Sequence, residues 1–248
     1  MLASTIARAA LFSAAVAASA LSQDSASCNC RPIGRHTPNE FELRSAGSFS
    51  FIQSRPAGAF RNNIGFGYGG NAAYLFRLDR EGFFSLRADA GILGYGSEHF
   101  HAPLSSTVGG RIQVKVSTTN YIVPLSIGPQ LAWPTGKFRP YVNAGIGAQA
   151  FFTESNVEGT DDSWEFANTT NQSDWTSAWV AGGGVYMPIY EGKTKVSIDL
   201  GVQYHNGGRA QYLKPGSIQD LPNAQIKVTP LESDTHMMLV RLGVRVGL

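Results

Sequence analysis

Cysteine is nearly absent from these 248 residues: Cys28 and Cys30 are the only two, both in a polar stretch near the start. One intervening residue leaves room for no more than a strained bridge, so no disulfide framework is available to stabilise the fold. Charge is scarce as well, at 15% Asp, Glu, Lys and Arg against roughly 25% in an ordinary soluble domain. The formal net charge is only +2, which excludes a broad basic surface for nucleic acid and an acidic one alike. The apolar run over residues 9–18 is too short and too interrupted to span a bilayer as a helix, and no later run is longer.

What is plentiful is glycine, with 28 residues, and an apolar share of 43%. The first residues, Met1 to Arg8, carry a basic position ahead of the apolar run, and Ala18, Ser19 and Ala20 form an A-x-A site. That order predicts a secretory signal peptide over residues 1–22, cleaved near Ala20 or Ser22. Residues 23–40 read as a polar periplasmic segment. Ser25, Ala26 and Ser27 ahead of Cys28 do not make a lipobox, so no lipid anchor is expected there.

From residue 41 to 248 the chain reads as one domain of strands, because alternate residues are almost uniformly apolar. Over residues 64–78, Ile64, Phe66, Tyr68, Ala72, Tyr74, Phe76 and Leu78 share one face, and glycines, Asn71, Leu75 and Arg77 take the other. Equivalent runs are centred on Leu86, Leu125, Ile146, Val185, Leu200 and Leu242, and a weaker first strand holds Leu43, Phe49 and Phe51, which gives about eight strands. Tight Gly-containing turns at 79–82, 134–137 and 191–194 alternate with long polar loops at 97–120, 153–176 and 206–234 and a shorter one at 54–63. Ahead of Tyr121, Ile112, Val114 and Val116 are apolar on even positions, although the strand that follows is apolar on odd ones. Such a change of parity predicts a bulge or break, with the strand leaving the membrane and continuing into the loop.

Periodicity alone leaves open whether the apolar face points out or in. The polar set contains Arg44, Arg77, Arg87, Asp89, Arg139, Asp199, Arg241 and Arg245, which suits the side-chain-filled interior of an eight-stranded barrel and predicts a charge-paired lumen. Asp199 and Arg241, on adjacent strands, and Arg87 with Asp89, on one face of one strand, are the expected pairs. Aromatic residues collect at two levels, Phe76, Phe84, Trp133, Phe138 and Tyr190 near the tight turns and Phe66, Tyr121, Phe152, Trp179 and Tyr204 toward the loops. These are the paired girdles of a lipid-facing barrel. Short turns at one end and long loops at the other fit the same architecture.

The chain end places Arg241, Gly243, Val246 and Leu248 where a C-terminal β-signal has a polar residue, a glycine and two hydrophobics, with Leu248 standing where an aromatic is usual. On these features residues 41–248 resemble the OmpA/OmpX-type, porin-like outer-membrane β-barrels. The resemblance implies an all-β, eight-stranded antiparallel up-and-down transmembrane barrel with short periplasmic turns and extracellular loops. It also implies residence in the outer membrane of a Gram-negative-type bacterium. The partners implied are outer-membrane lipids, the barrel-assembly machinery through the last strand, and an extracellular partner at the loops; no nucleic acid is expected.

Fold does not assign function, so individual residues were weighed. No cofactor, metal or catalytic residue is expected. His99 and His101 alternate in a loop without a third ligand, and Glu158, Asp161, Asp162 and Glu165 lack the oxygen spacing of a calcium loop. His205 and His236 have no serine close in sequence with which to form a nucleophile–base pair. Trp164, Phe166, Trp175, Tyr212 and Leu221 stand among polar loop residues, where they serve either a surface contact or packing over the barrel mouth. The expected role is structural or surface-interacting with a plugged lumen. The alternatives are a small porin-like channel and, further off, a lipid-modifying enzyme.

Overall fold

Alternation with β-branched and aromatic residues on one face commits a segment to a strand, and the computed structural model closes eight such strands into one barrel. It describes residues 45–103, 113–159, 165–221 and 225–247. The barrel strands are β1 (Ser45–Pro56), β2 (Gly67–Arg77), β3 (Phe84–Pro103), β4 (Gln113–Ala132), β5 (Arg139–Gly159), β6 (Glu165–Glu191), β7 (Lys195–Gly207) and β12 (Met237–Gly247). Each pairs antiparallel with its neighbours along the chain, and β1 closes the ring on β12. A one-turn helix α1 (Gly58–Arg61) follows β1. Between β7 and β12 lie four short strands: β8 (Arg209–Tyr212), β9 (Ile218–Leu221), β10 (Gln225–Val228) and β11 (Leu231–Asp234), paired β8 with β11 and β9 with β10. The segment expected to be a signal peptide, Cys28, Cys30, Arg44, Trp164, the Asp161–Asp162 pair and Leu248 lie outside the described residues.

The tight turns stand at one end. Asp79 closes the first by accepting from the backbone N–H groups of Phe83 at 2.9 Å and Phe84 at 3.0 Å. Gly82 and Gly136 adopt φ of 77° and 99°, conformations that side chains with a Cβ resist.

Facing follows the alternation. Phe49 and Phe51 of β1, Tyr68, Tyr74 and Phe76 of β2, Ile127 and Leu131 of β4, Val142 and Ile146 of β5, Trp179 of β6 and Leu242 of β12 are all exposed on the outer wall. Ser48, Ser50, Asn71, Arg87, Asp89, Gln149, Asp199 and Arg241 are buried inside. From Trp133 to Tyr121 the outer wall of β4 covers about 40 Å of strand at roughly 3.3 Å per residue. That is about 30 Å of height at a tilt of about 40°.

Three expectations are corrected. The segments 97–120 and 153–176 are not loops for most of their length: β3 pairs with β4 up to Pro103 and Gln113, and β5 pairs with β6 up to Glu158 and Glu165. The four strands therefore rise as a sheet above the barrel wall. Ile64 does not belong to the second strand, which begins at Gly67; it is buried in an apolar cluster at the loop end. The change of parity before Tyr121 is not a bulge in β4, whose even residues Val114, Thr118, Asn120, Ile122 and Gln130 are buried along its whole length. The register shift sits across the ladder in β3, between Gly94 and Gly96. What changes in β4 is the chemistry of its outer face, apolar below Tyr121 and polar above it at Thr119, Ser117 and Lys115, while the inner face above Tyr121 mixes the buried Asn120 and Thr118 with Val114.

Candidate functional site

The barrel interior is lined in two layers of different chemistry. The lower layer is ionic. Arg87, 1% exposed on β3, donates through Nε to Asp89 Oδ2 at 2.7 Å and through Nη2 to Asp89 Oδ1 at 2.8 Å. Its Nη1 donates to Gln130 Oε1 and to the Tyr186 hydroxyl, both at 3.1 Å. Asp89 Oδ1 also accepts from Asn71 Nδ2 at 3.1 Å and from Arg241 Nη1 at 3.2 Å. Arg241 reaches Gln203 Oε1 at 3.3 Å and the Tyr141 hydroxyl at 3.1 Å, and that hydroxyl donates to Asp199 Oδ1 at 2.6 Å. Ser48 donates to the other oxygen of Asp199 at 3.4 Å. Two arginines and two aspartates thus form one balanced network that takes in a residue from each of the eight barrel strands, β4 entering through Gln130 and β12 through Arg241. Charge-assisted bonds of this kind are the arrangement in which buried charges persist.

Two tyrosines organise the layer. The rings of Tyr141 and Tyr186 stack at 4.3 Å between centroids, and the Arg245 guanidinium lies 4.6 Å from the Tyr186 centroid. A side chain at Gly184 would put its Cβ 2.5 Å from the Tyr141 hydroxyl, so glycine there makes room for the ring. A void of about 10 Å³, enough for a single water at most, is bordered by Arg87, Asp89, Asn143 and Gln203. Nearer the tight turns Arg77, Arg139, Lys195 and Arg245 border a second void of about 20 Å³. There Arg139 Nη2 meets Glu191 at 2.5 Å.

The upper layer is apolar. Ile52, Leu93, Ile122, Phe151, Met237 and Leu239 point inward from five strands. Phe60 of α1 and Tyr212 of β8 enter from the loops and meet edge to face at 4.9 Å, and Phe60 meets Phe151 in the same way at 5.8 Å. The Tyr212 hydroxyl is held by Asn63 Nδ2 and Ser233 Oγ, each at 2.7 Å, and Tyr95 donates to the backbone carbonyl of Leu213 at 2.8 Å. The connection between β7 and β12 is therefore folded into the mouth, with its polar tips satisfied.

Of the lumen residues read from sequence, Arg87, Asp89, Asp199 and Arg241 come together, Arg245 stacks beside them, and Arg77 and Arg139 sit toward the turns. Asp199 and Arg241 are joined through the Tyr141 hydroxyl rather than directly, because Arg241 pairs in register with Gly201, two residues from Asp199. Gly243 of the chain-end pattern lies where a Cβ would run into the backbone of Phe49 and Ser50 at the β1–β12 seam. Val246 pairs with Gly47 along that seam. Sequence reading missed Tyr141, Tyr186 and Gln130, and it missed the apolar mouth. The available signal was large residues, Ile52, Leu93, Ile122 and Phe151, at positions of inward parity.

His99 bonds Ser117 Oγ at 2.7 Å and Ser97 Oγ at 3.2 Å, and no group of three metal-ligating side chains occurs among the described residues. His205 is 2% exposed, and neither of its ring nitrogens has a protein partner among the described residues. His236 packs beside Tyr204 at 6.4 Å. Of the loop aromatics, Tyr212 fills the mouth and Trp175 is 70% exposed. The side chains of Phe166 and Leu221 lie outside the described set.

No protein-family model matches the sequence, and no curated relative does. Among solved structures the chain is similar to Neisserial surface protein A, with 12% identity over 82% of this chain and 97% of that one at a TM-score of 0.41. It is similar also to Ail, the attachment invasion locus protein of Yersinia pestis, at 14% identity, 81% and 97% coverage and a TM-score of 0.40. A major outer membrane protein from Thermus thermophilus gives 13% identity, 81% and 98% coverage and a TM-score of 0.39. The eight-stranded barrel of this chain rests on its own register and burial pattern rather than on these overlaps.

Proposed function

We propose that this protein is an integral outer-membrane barrel with a closed lumen, whose work is done by the sheet that rises above the membrane. The outer wall between the two aromatic levels supports membrane residence, since exposed Phe, Trp, Leu, Ile and Val over about 30 Å are costly in water and suited to lipid. The observation that carries the closed-lumen reading is the pair of stacked seals, the Arg87–Asp89–Arg241 network below and the Phe60–Phe151–Tyr212 core above. The void of only about 10 Å³ beside the ionic network supports the same reading.

The surface role is supported by the extension of β3 to β6. The β3 edge over residues 97–103 has a ladder only toward β4 among the described residues, which presents backbone donors and acceptors to a partner strand. Its outward side chains, Ser97, His99 and His101, are polar and exposed. An enzymatic reading finds no support in His205 or His236, neither of which has a serine hydroxyl bonded to it among the described residues. Planar-bilayer recording of the purified protein tests the reading: a silent bilayer is expected, and steady ion-selective channels would replace it with the small-channel alternative.

A further inference from the structure

Outside the barrel, at the level where the upper aromatic residues stand, an open groove of about 600 Å³ runs between the β1–α1 connection and the β7–β12 seam. Arg55, Met238 and Tyr204 lie side by side in register across β1, β12 and β7 and form one side of it. Ile64, Phe66 and the Arg61 side chain form the other. The Arg55 guanidinium sits 5.3 Å from the Phe66 centroid, which holds the cation over an apolar surface. Arg55 and Arg61 have no acidic partner among the described residues, whereas Arg139 and Arg209 elsewhere on the surface face Glu191 and Glu232.

Below the groove the wall of β12 and β7 is apolar row after row: Val240 lies between Gln53 and Val202, Leu242 between Phe51 and Leu200, and Val244 between Phe49 and Ile198. Two forked cations above an apolar track that runs down β12 and β7 match one kind of molecule. A phosphate accepts from guanidinium groups in the geometry they offer, and an acyl chain attached to it loses water against the track. We infer that this groove seats one membrane lipid with an anionic phosphate headgroup, the phosphate between Arg55 and Arg61 and a chain along the β1–β12–β7 wall. The inference rests on the membrane reading above.

The test uses the full-length mature protein in nanodiscs of phosphatidylcholine containing a minor share of phosphatidylglycerol, with lipids retained on the released protein counted by native mass spectrometry. The wild type is expected to retain phosphatidylglycerol severalfold above its share in the disc. The double variant Arg55→Gln/Arg61→Gln should fall back to that share, and Arg209→Gln should not change it. Equal retention of the two lipids by the wild type would overturn the inference, as would enrichment that survives the double variant. Loss of the enrichment on adding inorganic phosphate would overturn the lipid assignment by showing that a free anion suffices. Heat-modifiable migration of the same samples reports folding separately. A barrel that inserts without enrichment brings down only this inference, whereas one that never inserts brings down the membrane reading and the inference together. Should the double variant fail to fold, each single variant is read in the same way and is expected to lose part of the enrichment.

Discussion

The lower barrel and the sheet above it are made from the same strands with their chemistry inverted. In β4 the residues Leu125, Ile127 and Leu131 face outward and are exposed, and Gln130 faces inward. Above Tyr121 the outward positions carry Lys115, Ser117 and Thr119, and the inward ones carry the buried Asn120, Thr118 and Val114. Backbone geometry does not change between these regions; the solvent does. Where the outside is lipid, apolar residues go out and the interior is filled by paired charges. Where the outside is water, the outward positions turn polar, whereas the apolar core around Phe60, Phe151 and Tyr212 sits at the level of the upper aromatic residues, behind the stacked Tyr121 and Phe152. A β-sheet thus records the dielectric around it in which of its two faces is apolar.

The inversion is tested most severely at the centre of the ionic layer. Asp89→Ala removes the carboxylate that faces both Arg87 and Arg241, leaving two buried guanidinium groups without their main acceptor. Stranding a buried charge costs about 3–5 kcal/mol, so the midpoint of denaturant unfolding in detergent should fall steeply. An unchanged midpoint would mean that the interior is wetter than its packing shows. Phe151→Ala probes the apolar counterpart. It takes one ring from a three-ring cluster, and such a truncation costs about 4 kcal/mol; protection of the Tyr212 region from proteolysis should be lost with it. The outer wall gives the third test. Ile127→Arg places a cation against lipid at a cost of about 3 kcal/mol, while His101→Arg on the exposed outer face of β3 should leave insertion and heat-modifiable migration unchanged. Equal effects at the two positions would remove the boundary at Tyr121.

The parts of this plan that were legible in the sequence are those set by alternation. Phe49, Tyr74, Ile146 and Leu242 outside, with Arg87, Asp89, Asp199 and Arg241 inside, follow from period two once one face is known to be apolar. The extensions were hidden because Ser, Thr, Asn and Gln are frequent in those of β4 to β6, and Glu98, His99 and His101 stand in that of β3, residues that read as loop. In the sheet their side chains bond one another across strands, as Thr118 does with Ser155 at 2.6 Å and Thr153 with Asn120 at 2.5 Å. The Tyr141–Tyr186 stack was hidden for a different reason. The two rings come from adjacent strands, and their meeting depends on glycines at 184 and 201, a packing relation that no pattern within one strand encodes. Ile64 was misplaced because parity carried it into β2, whereas the chain leaves the wall before Gly67 and turns the side chain into the mouth core.

The smallest expected effect marks the outer limit of the inverted region. Arg209 on β8 and Glu232 on β11 meet diagonally across the ladder at 3.9 Å, with side chains 74% and 50% exposed. They lie on the water-facing side of the folded connection, whose underside buries Ala210 and Tyr212. An ion pair this open is screened by solvent and salt and contributes about 0–1 kcal/mol at most. Arg209→Ala and Glu232→Ala, alone and together, should therefore shift the unfolding midpoint by no more than the scatter of repeat measurements, with no coupling in the double-mutant cycle. A coupling comparable to that of Arg241 with Asp89 would place this pair in a low-dielectric setting. The boundary between the region built for lipid and the region built for water would then have to be redrawn above the mouth.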